Sequence, residues 1–526
     1  MNLAVLAVIS LLYFGVLTLL SYLGYKHTVS AEDYLVAGRS MNPWIMSLSY
    51  GATFISTSAI VGFGGVAAMY GFSLLWLAFL NIVLGVWIAF AYLGTRIRRM
   101  STQLNVSTFA SLLGERYDSK AITALSGLAI FIFMPAYTSI ILIGGARFLE
   151  EAFTLDYNVA LLILAIIVGL YVLTGGLKAV MYTDAFCAAI MMVGMIFLLI
   201  GAYRTAGGVV HGHQALTALS NLVPDNLAAM GHQGWTAMPA LGSPIWWTVV
   251  STIIMGVGVG VLAQPQLAMR FMTVSDNRGL YRAVLIGSIF IFSTVGTAYM
   301  VGPLSNVYFY ENYGMIAADV AQGNVDLIIP AFITSIMPDW FLYLFTLTLL
   351  SAAISTLSSL IHVQGTAFGY DVLETLGYRK ANNDLSSLPT RIGVIVGVVL
   401  AVILAYILPG SIIARSTAFW FGICAAGFMP ALIGGLYWRG GTKYGALASI
   451  LAGFLVSIFG FVFLHAAEAE PFGICMALFG KPTLLPYPWT HVDPLFYALP
   501  ISLVIYIVVS LLTKPPAQEH LERCFN

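Results

Sequence analysis

In the run LLSAAISTLSSLIH, Ala352, Ser355, Thr356 and Ser359 recur at i, i+3, i+4 and i+7. On a helix these positions share one face. A row of hydroxyls beside carbonyls freed by a neighbouring helix break forms a cradle of neutral oxygens. Such a cradle suits a hard monovalent cation, which needs several oxygen ligands. The competing role for each hydroxyl is a hydrogen bond back to its own i−4 carbonyl. Ser355, Thr356, Ser358 and Ser359 place four hydroxyls within five residues, more than that role needs. A carboxylate, Asp184, follows GGLKAVMYT at the start of another apolar run, near its inner end. An ionisable group inside an apolar span points to function. Its structural alternative is an ion pair with Lys178, six residues earlier.

Two further segments carry residues that interrupt helices. One reads GATFISTSAIVGFGG, with Ser56, Thr57 and Ser58 ahead of Gly62, Gly64 and Gly65. The other reads MGVGVGVLAQPQ, with Gly256, Gly258, Gly260 and Pro265. Broken helices at matching places in two halves mark an inverted-repeat transporter, although glycines also let intact helices pack closely. The segment with Ser56 holds no carboxylate, so sodium rather than a proton is the expected coupling ion.

The elements that must position these residues follow from composition. The 526-residue chain is 60% hydrophobic and 8% charged, whereas soluble domains are about 25% charged. The class is all-α integral membrane. Thirteen spans are expected, near 2–25, 44–70, 73–95, 121–149, 157–177, 182–203, 244–268, 283–308, 334–368, 391–409, 416–437, 445–465 and 493–513. With the N-terminus outside, the inner loops take every basic residue except Arg147, Arg204, Arg415 and Lys481, in keeping with the positive-inside rule. Arg270, Arg379 and Lys380 are counted among those inner residues. The first run, Asn2–Tyr25, lacks a basic n-region and is long enough to span, so it is not read as a cleaved signal. The zero formal net charge excludes a basic nucleic-acid face, and Cys187, Cys424, Cys475 and Cys524 show no metal-binding spacing.

The segments together resemble the sodium:solute symporter family, which includes sodium–proline, sodium–pantothenate, sodium–monocarboxylate and sodium–sugar carriers. Asp33-Tyr34-Leu35-Val36-Ala37-Gly38-Arg39-Ser40 is similar to its first cytoplasmic motif. Tyr171-Val172-Leu173-Thr174-Gly175-Gly176-Leu177-Lys178-Ala179 fits its first signature. Gly445-Ala446-Leu447-Ala448-Ser449, closing at Gly453, fits most of its second, with Gly440 where a basic residue is expected and Arg439 before it.

The resemblance implies a ten-helix, 5+5 inverted-repeat core with two broken helices. It implies a first sodium site from the carbonyls of Ala52, Ile55 and Ala352 and the hydroxyls of Ser355 and Thr356. A second site, present in some members, maps to Asp184, Ser355, Ser358 and Ser359. Expected solute contacts are Ser56, Thr57, Ser58, Tyr137 and Gln264. The polar residues of the sugar carriers correspond here to Ala59 and the glycines near Gly256. The aspartate of the proline carriers corresponds to Phe54, and their tryptophans to Ser58 and Val257. Gln264-Pro265-Gln266-Leu267-Ala268-Met269-Arg270-Phe271 nevertheless resembles the proline carriers' motif. Gly144-Gly145-Ala146-Arg147 and Ser56-Thr57-Ser58 look more like the pantothenate carriers.

The expected protein is therefore a multi-pass transporter of the cell membrane that imports a small solute by sodium symport. The solute is an organic anion such as pantothenate or a monocarboxylate, or an amino acid such as proline. The expected segments are 1–43 (first span and loop), 44–203 (first repeat), 204–243 (outer loop), 244–437 (second repeat) and 438–526 (last helices and a short inner tail). Sodium is the only cofactor-like group expected, and the expected partners are the solute and the lipid bilayer, with no obligate protein. No motif sets a nucleophile beside a base, so no enzyme is expected. The alternative is a transporter-like solute sensor acting through a separate partner, because the tail after Leu512 leaves no room for a signalling domain.

Overall fold

Why these residues form helices is visible at their starts. The Asn42 side chain accepts from the Trp44 N–H with Pro43 at the first helical position, and Asp156 and Thr442 cap their helices in the same way. The computed structural model describes residues 2–377, 388–408 and 413–525; Arg379 and Lys380 lie outside the described residues. Among those described, the chain is helical and forms no strand.

Among the described residues, eleven helical stretches are long and apolar enough to cross a membrane. The longest, Tyr157–Thr205, has 49 residues. A straight helix of that length would run about 74 Å, against a hydrocarbon core of about 30 Å. Gly176 breaks it, at φ 56° and ψ −157°, a backbone conformation open to glycine. Gly71, at φ 74° and ψ −159°, breaks the chain in the same way before Leu75–Ile82. With these two breaks the stretches resolve into the thirteen spans expected.

The helix Asp339–Thr366, here the serine helix, is the centre of the bundle. Its most apolar window is 89% buried, against 22% for Leu3–Lys26 and 28% for Leu495–Leu512, which face lipid at the flanks. Small residues let the central helices approach. A Cβ on Gly194 of Tyr157–Thr205 would fall 2.0 Å from the Thr348 hydroxyl of the serine helix.

Both interrupted helices are present. Pro43–Phe54 stops where Ile55 turns extended (φ −93°, ψ 102°), and helix resumes at Ser58. The second break is not at the glycines. Gly256, Gly258 and Gly260 are helical, and the chain turns extended at Gln264 (φ −76°, ψ 118°) before the helix Pro265–Phe271. Proline lacks an N–H and disfavours helical geometry in the residue before it, so Pro265 sets the break. The glycines serve packing instead: a Cβ on Gly260 would meet the Phe421 carbonyl at 2.5 Å.

The motifs Asp33–Ser40 and Tyr171–Ala179 fold onto each other. Lys178 Nζ lies 2.9 Å from Asp33 Oδ1 and donates to the His27 carbonyl at 3.1 Å. Tyr34 donates to the Val172 carbonyl, and Thr28 to that of Gly175. Lys178 is therefore Asp33's partner and not that of Asp184. Burial pushes the Asp33 carboxyl up, but the Lys178 ammonium and the Ser30 hydroxyl outweigh it and hold it below its ordinary value. A depressed carboxyl stabilises the fold above its unfolded value and loses that contribution as pH falls through the folded one. Asp33→Asn should cost about 1–2 kcal/mol at neutral pH and flatten the acid limb of a melting-temperature profile in detergent. An unchanged acid limb would show that the pair contributes nothing.

Candidate functional site

With the chain extended at Ile55, the last carbonyls of Pro43–Phe54 lose the N–H groups that another helical turn would bring. The serine helix supplies hydrogens in their place. Ser355 Oγ donates to the Ala52 carbonyl at 2.9 Å, and Thr356 Oγ1 lies 3.4 Å from the same oxygen and 3.3 Å from that of Thr53. Ser355 Oγ is also 3.4 Å from the Ala352 carbonyl. Ala52, Ala352, Ser355 and Thr356 thus converge as expected, all of them buried, with Ile55 at the break beside them. The i−4 carbonyls compete for the same hydrogens: Ser355 Oγ lies 2.7 Å from the Ser351 carbonyl, and Ser359 Oγ 3.0 Å from that of Ser355.

Asp184 is fully buried inside the bundle. Of the hydroxyls grouped with it from sequence, Ser358 Oγ lies 3.4 Å from one carboxylate oxygen and Ser359 Oγ 3.5 Å from the other, while Ser355 bonds the Ala52 and Ser351 carbonyls instead. Three partners were not expected. Ser49 donates to Asp184 at 2.8 Å and Thr53 at 3.3 Å. Arg270 Nη2 lies 3.2 Å from the same oxygen, and both side chains are 0% exposed. Arg270, counted from sequence as an inner-loop cation, is therefore the core counter-charge that Lys178 is not.

Between the broken helices lies a closed cavity of about 10 Å3, room for roughly one water. Phe54, Phe63, Tyr299 and Phe421 are the aromatic members of its wall, and Ser56, Asn81 and Thr417 the polar ones. Of the expected solute contacts only Ser56 lines it. Tyr137 packs edge-on behind Phe421 at 5.9 Å, and Ser58 bonds Thr417 at 2.7 Å. Gln264 turns away, donating to the Gly260 carbonyl at 3.2 Å and accepting from Gln266 at 3.1 Å. Thr57 Oγ1 and Asn81 Oδ1 are buried with no protein partner.

The chain matches the sodium:solute symporter family over residues 34–453. It belongs to that family. A sodium/pantothenate symporter of Haemophilus influenzae is 28% identical over 421 residues, covering 80% of this chain and 82% of that one. The osmoregulated proline transporter OpuE of Bacillus subtilis is 27% identical, covering 96% and 94%. The substrate-bound, outward-open structure of a Na+-coupled sialic acid symporter superposes with a TM-score of 0.72 at 16% identity, covering 98% of this chain and 99% of that one, and shares the fold.

This symporter therefore couples import of a small solute to sodium, as a multi-pass membrane protein. Its relatives are transporters, not enzymes. Ser49 and Thr53 had a sequence signal, being four residues apart on one face of Pro43–Phe54. Arg270 had one in its place directly after the Pro265 break.

The buried ion pair makes a stability prediction. Asp184→Asn leaves the Arg270 guanidinium without a counter-charge and should cost about 3–5 kcal/mol, read as melting temperature. Lys178→Ala should change stability independently of Asp184, with additive effects in the double variant. Non-additivity between positions 178 and 184 would contradict the partner assignment.

Proposed function

We propose that this symporter holds its coupling sodium between the carbonyls of Ala52, Ile55 and Ala352 and the hydroxyls of Ser355 and Thr356. The supporting observation is the Ala52 carbonyl, deprived of an N–H by the break and met at 2.9 Å by Ser355. An ion there replaces hydroxyl hydrogens as the carbonyl's partner and binds the first broken helix to the serine helix.

The proposed solute is a small carboxylate: pantothenate or another monocarboxylate, or an amino acid such as proline. The names of the Haemophilus influenzae and Bacillus subtilis relatives support this class. So does the chemistry of the cavity, whose lining is aromatic with a few neutral polar groups and no Lys or Arg. A carboxylate would face the positive end of the half-helix that starts at Thr57–Ser58, and the neighbouring sodium. Asn81 Oδ1, unpartnered, would take a solute N–H or O–H. The aromatic wall must part to admit any of these solutes.

One inward sodium gains about 2.3 kcal/mol per 100 mV and about 1.4 kcal/mol per tenfold gradient. That supports roughly 500-fold accumulation of a zwitterion. A monoanion cancels the moving charge, leaving about tenfold from the gradient alone. The proposed orientation puts the N-terminus outside, the C-terminus in the cytoplasm and the protein in the cell membrane.

Proteoliposomes should take up labelled pantothenate or proline only with an inward sodium gradient. Thr356→Ala should raise the sodium needed for half-maximal uptake about 10–150-fold, and Thr356→Ser only modestly. Equal sodium dependence in wild type and Thr356→Ala would remove Thr356 from the site. In sealed cells, an impermeant thiol reagent added outside should label Val210→Cys, on the 204–243 loop, and spare Arg99→Cys; the reverse pattern would invert the topology.

A further inference from the structure

The residues that answer to a second cation site already hold a cation. Arg270 Nη2 lies 3.2 Å from Asp184 Oδ2 and 3.0 Å from Thr53 Oγ1, and it also donates to Ser359 Oγ. These are an anionic and two neutral oxygens, the donor set that a bound sodium would take there, met by one guanidinium nitrogen. Ser49 and Ser358 complete the ring around the carboxylate. A nitrogen at hydrogen-bond distance from all three oxygens and a metal ion ligated by them cannot occupy the same space.

The arginine is fixed in this position. Nη1 donates to the Gln266 carbonyl at 3.1 Å, one turn back on the helix Pro265–Phe271. No basic residue other than Arg270 reaches Asp184 among the described residues, since Lys178 is held by Asp33. A buried carboxylate must have a positive partner or lose its charge. Guanidinium stays protonated in any such site, so the partner is permanent where a lysine would not be.

We propose that Arg270 is a tethered cation occupying the second site, so that this symporter carries one sodium ion per solute. The proposal rests on the sodium-coupled reading above and sets its stoichiometry. It also fixes the electrical character of transport: a zwitterion moves with one net positive charge, and a monoanion with none. Removing the guanidinium would turn the same oxygens into a sodium site, because the Asp184 carboxylate would then need a mobile cation.

The test reads ion binding without requiring the solute. Purified protein is melted in detergent across a sodium series at constant ionic strength, with potassium as the balancing ion. At saturating sodium, the rise of stability with the logarithm of concentration counts the ions bound to the folded state. Wild type should show a one-ion slope. Arg270→Gln should be destabilised in potassium, rescued by sodium, and show a doubled slope. Arg270→Lys should keep the one-ion slope, and Arg270→Gln combined with Asp184→Asn should return to it. A two-ion slope in wild type overturns the proposal, as does a one-ion slope in a folded Arg270→Gln. If Arg270→Gln does not fold, the wild-type slope decides alone. No sodium dependence in wild type would instead overturn the sodium-coupled reading itself. In proteoliposomes, labelled sodium and labelled solute should enter wild type in a one-to-one ratio.

Discussion

A helix that stops in the middle of a bilayer leaves carbonyl oxygens that no N–H reaches and no water solvates. The stop at Ile55 creates that problem for Ala52 and Thr53 at the centre of this protein. The serine helix answers it with the Ser355 and Thr356 hydroxyls. This requirement explains why the serine helix is the most buried span. It also explains why its neighbours carry glycine at the contact, as Gly194 does against Thr348. Hydroxyl hydrogens are a replaceable answer, since a cation satisfies the same oxygens. The proposed sodium site is thus a consequence of the break and not an addition to an intact helix.

The same economy governs the charges. Asp184 and Arg270 are the only fully buried ion pair among the described residues, and their hydrogen-bond partners beyond each other are hydroxyls and the Gln266 carbonyl. The pair joins four elements: Pro43–Phe54 through Ser49 and Thr53, Tyr157–Thr205 through Asp184, Pro265–Phe271 through Arg270, and the serine helix through Ser358 and Ser359. The short segments on the same side of both breaks are thereby tied to one scaffold helix, while the aromatic wall of Phe54, Phe63 and Phe421 closes the centre between them.

Much of this was legible from local pattern. Scarcity of charge gives the class, and alternation of apolar runs and basic loops gives the spans. The i, i+3, i+4, i+7 spacing gives the hydroxyl face of the serine helix. What local pattern does not carry is pairing. Asp184 has a lysine six residues away and an arginine 86 residues away, and the distant one is its partner. The near one sits on the same helix, but six residues at 3.6 per turn turn it about 240° away from Asp184 and towards Asp33. The rule that basic residues gather inside counts Arg270 as a loop cation, since a tally of charge cannot see that its side chain is turned into the core. The second break was read from three glycines together with Pro265, and of these four it is the proline that the backbone obeys.

Thr53 presents two faces. Its carbonyl lies 3.3 Å from Thr356, in the first oxygen cradle, and its hydroxyl lies 3.0 Å from Arg270, in the charged cluster. One residue is thus a wall shared by two compartments. Reciprocity requires that whatever free energy an occupant of the cradle adds to the guanidinium's hold, the guanidinium returns to that occupant in equal measure. Affinity at the cradle is therefore not a property of its own ligands alone. It carries a reading of how firmly the arginine is seated next door.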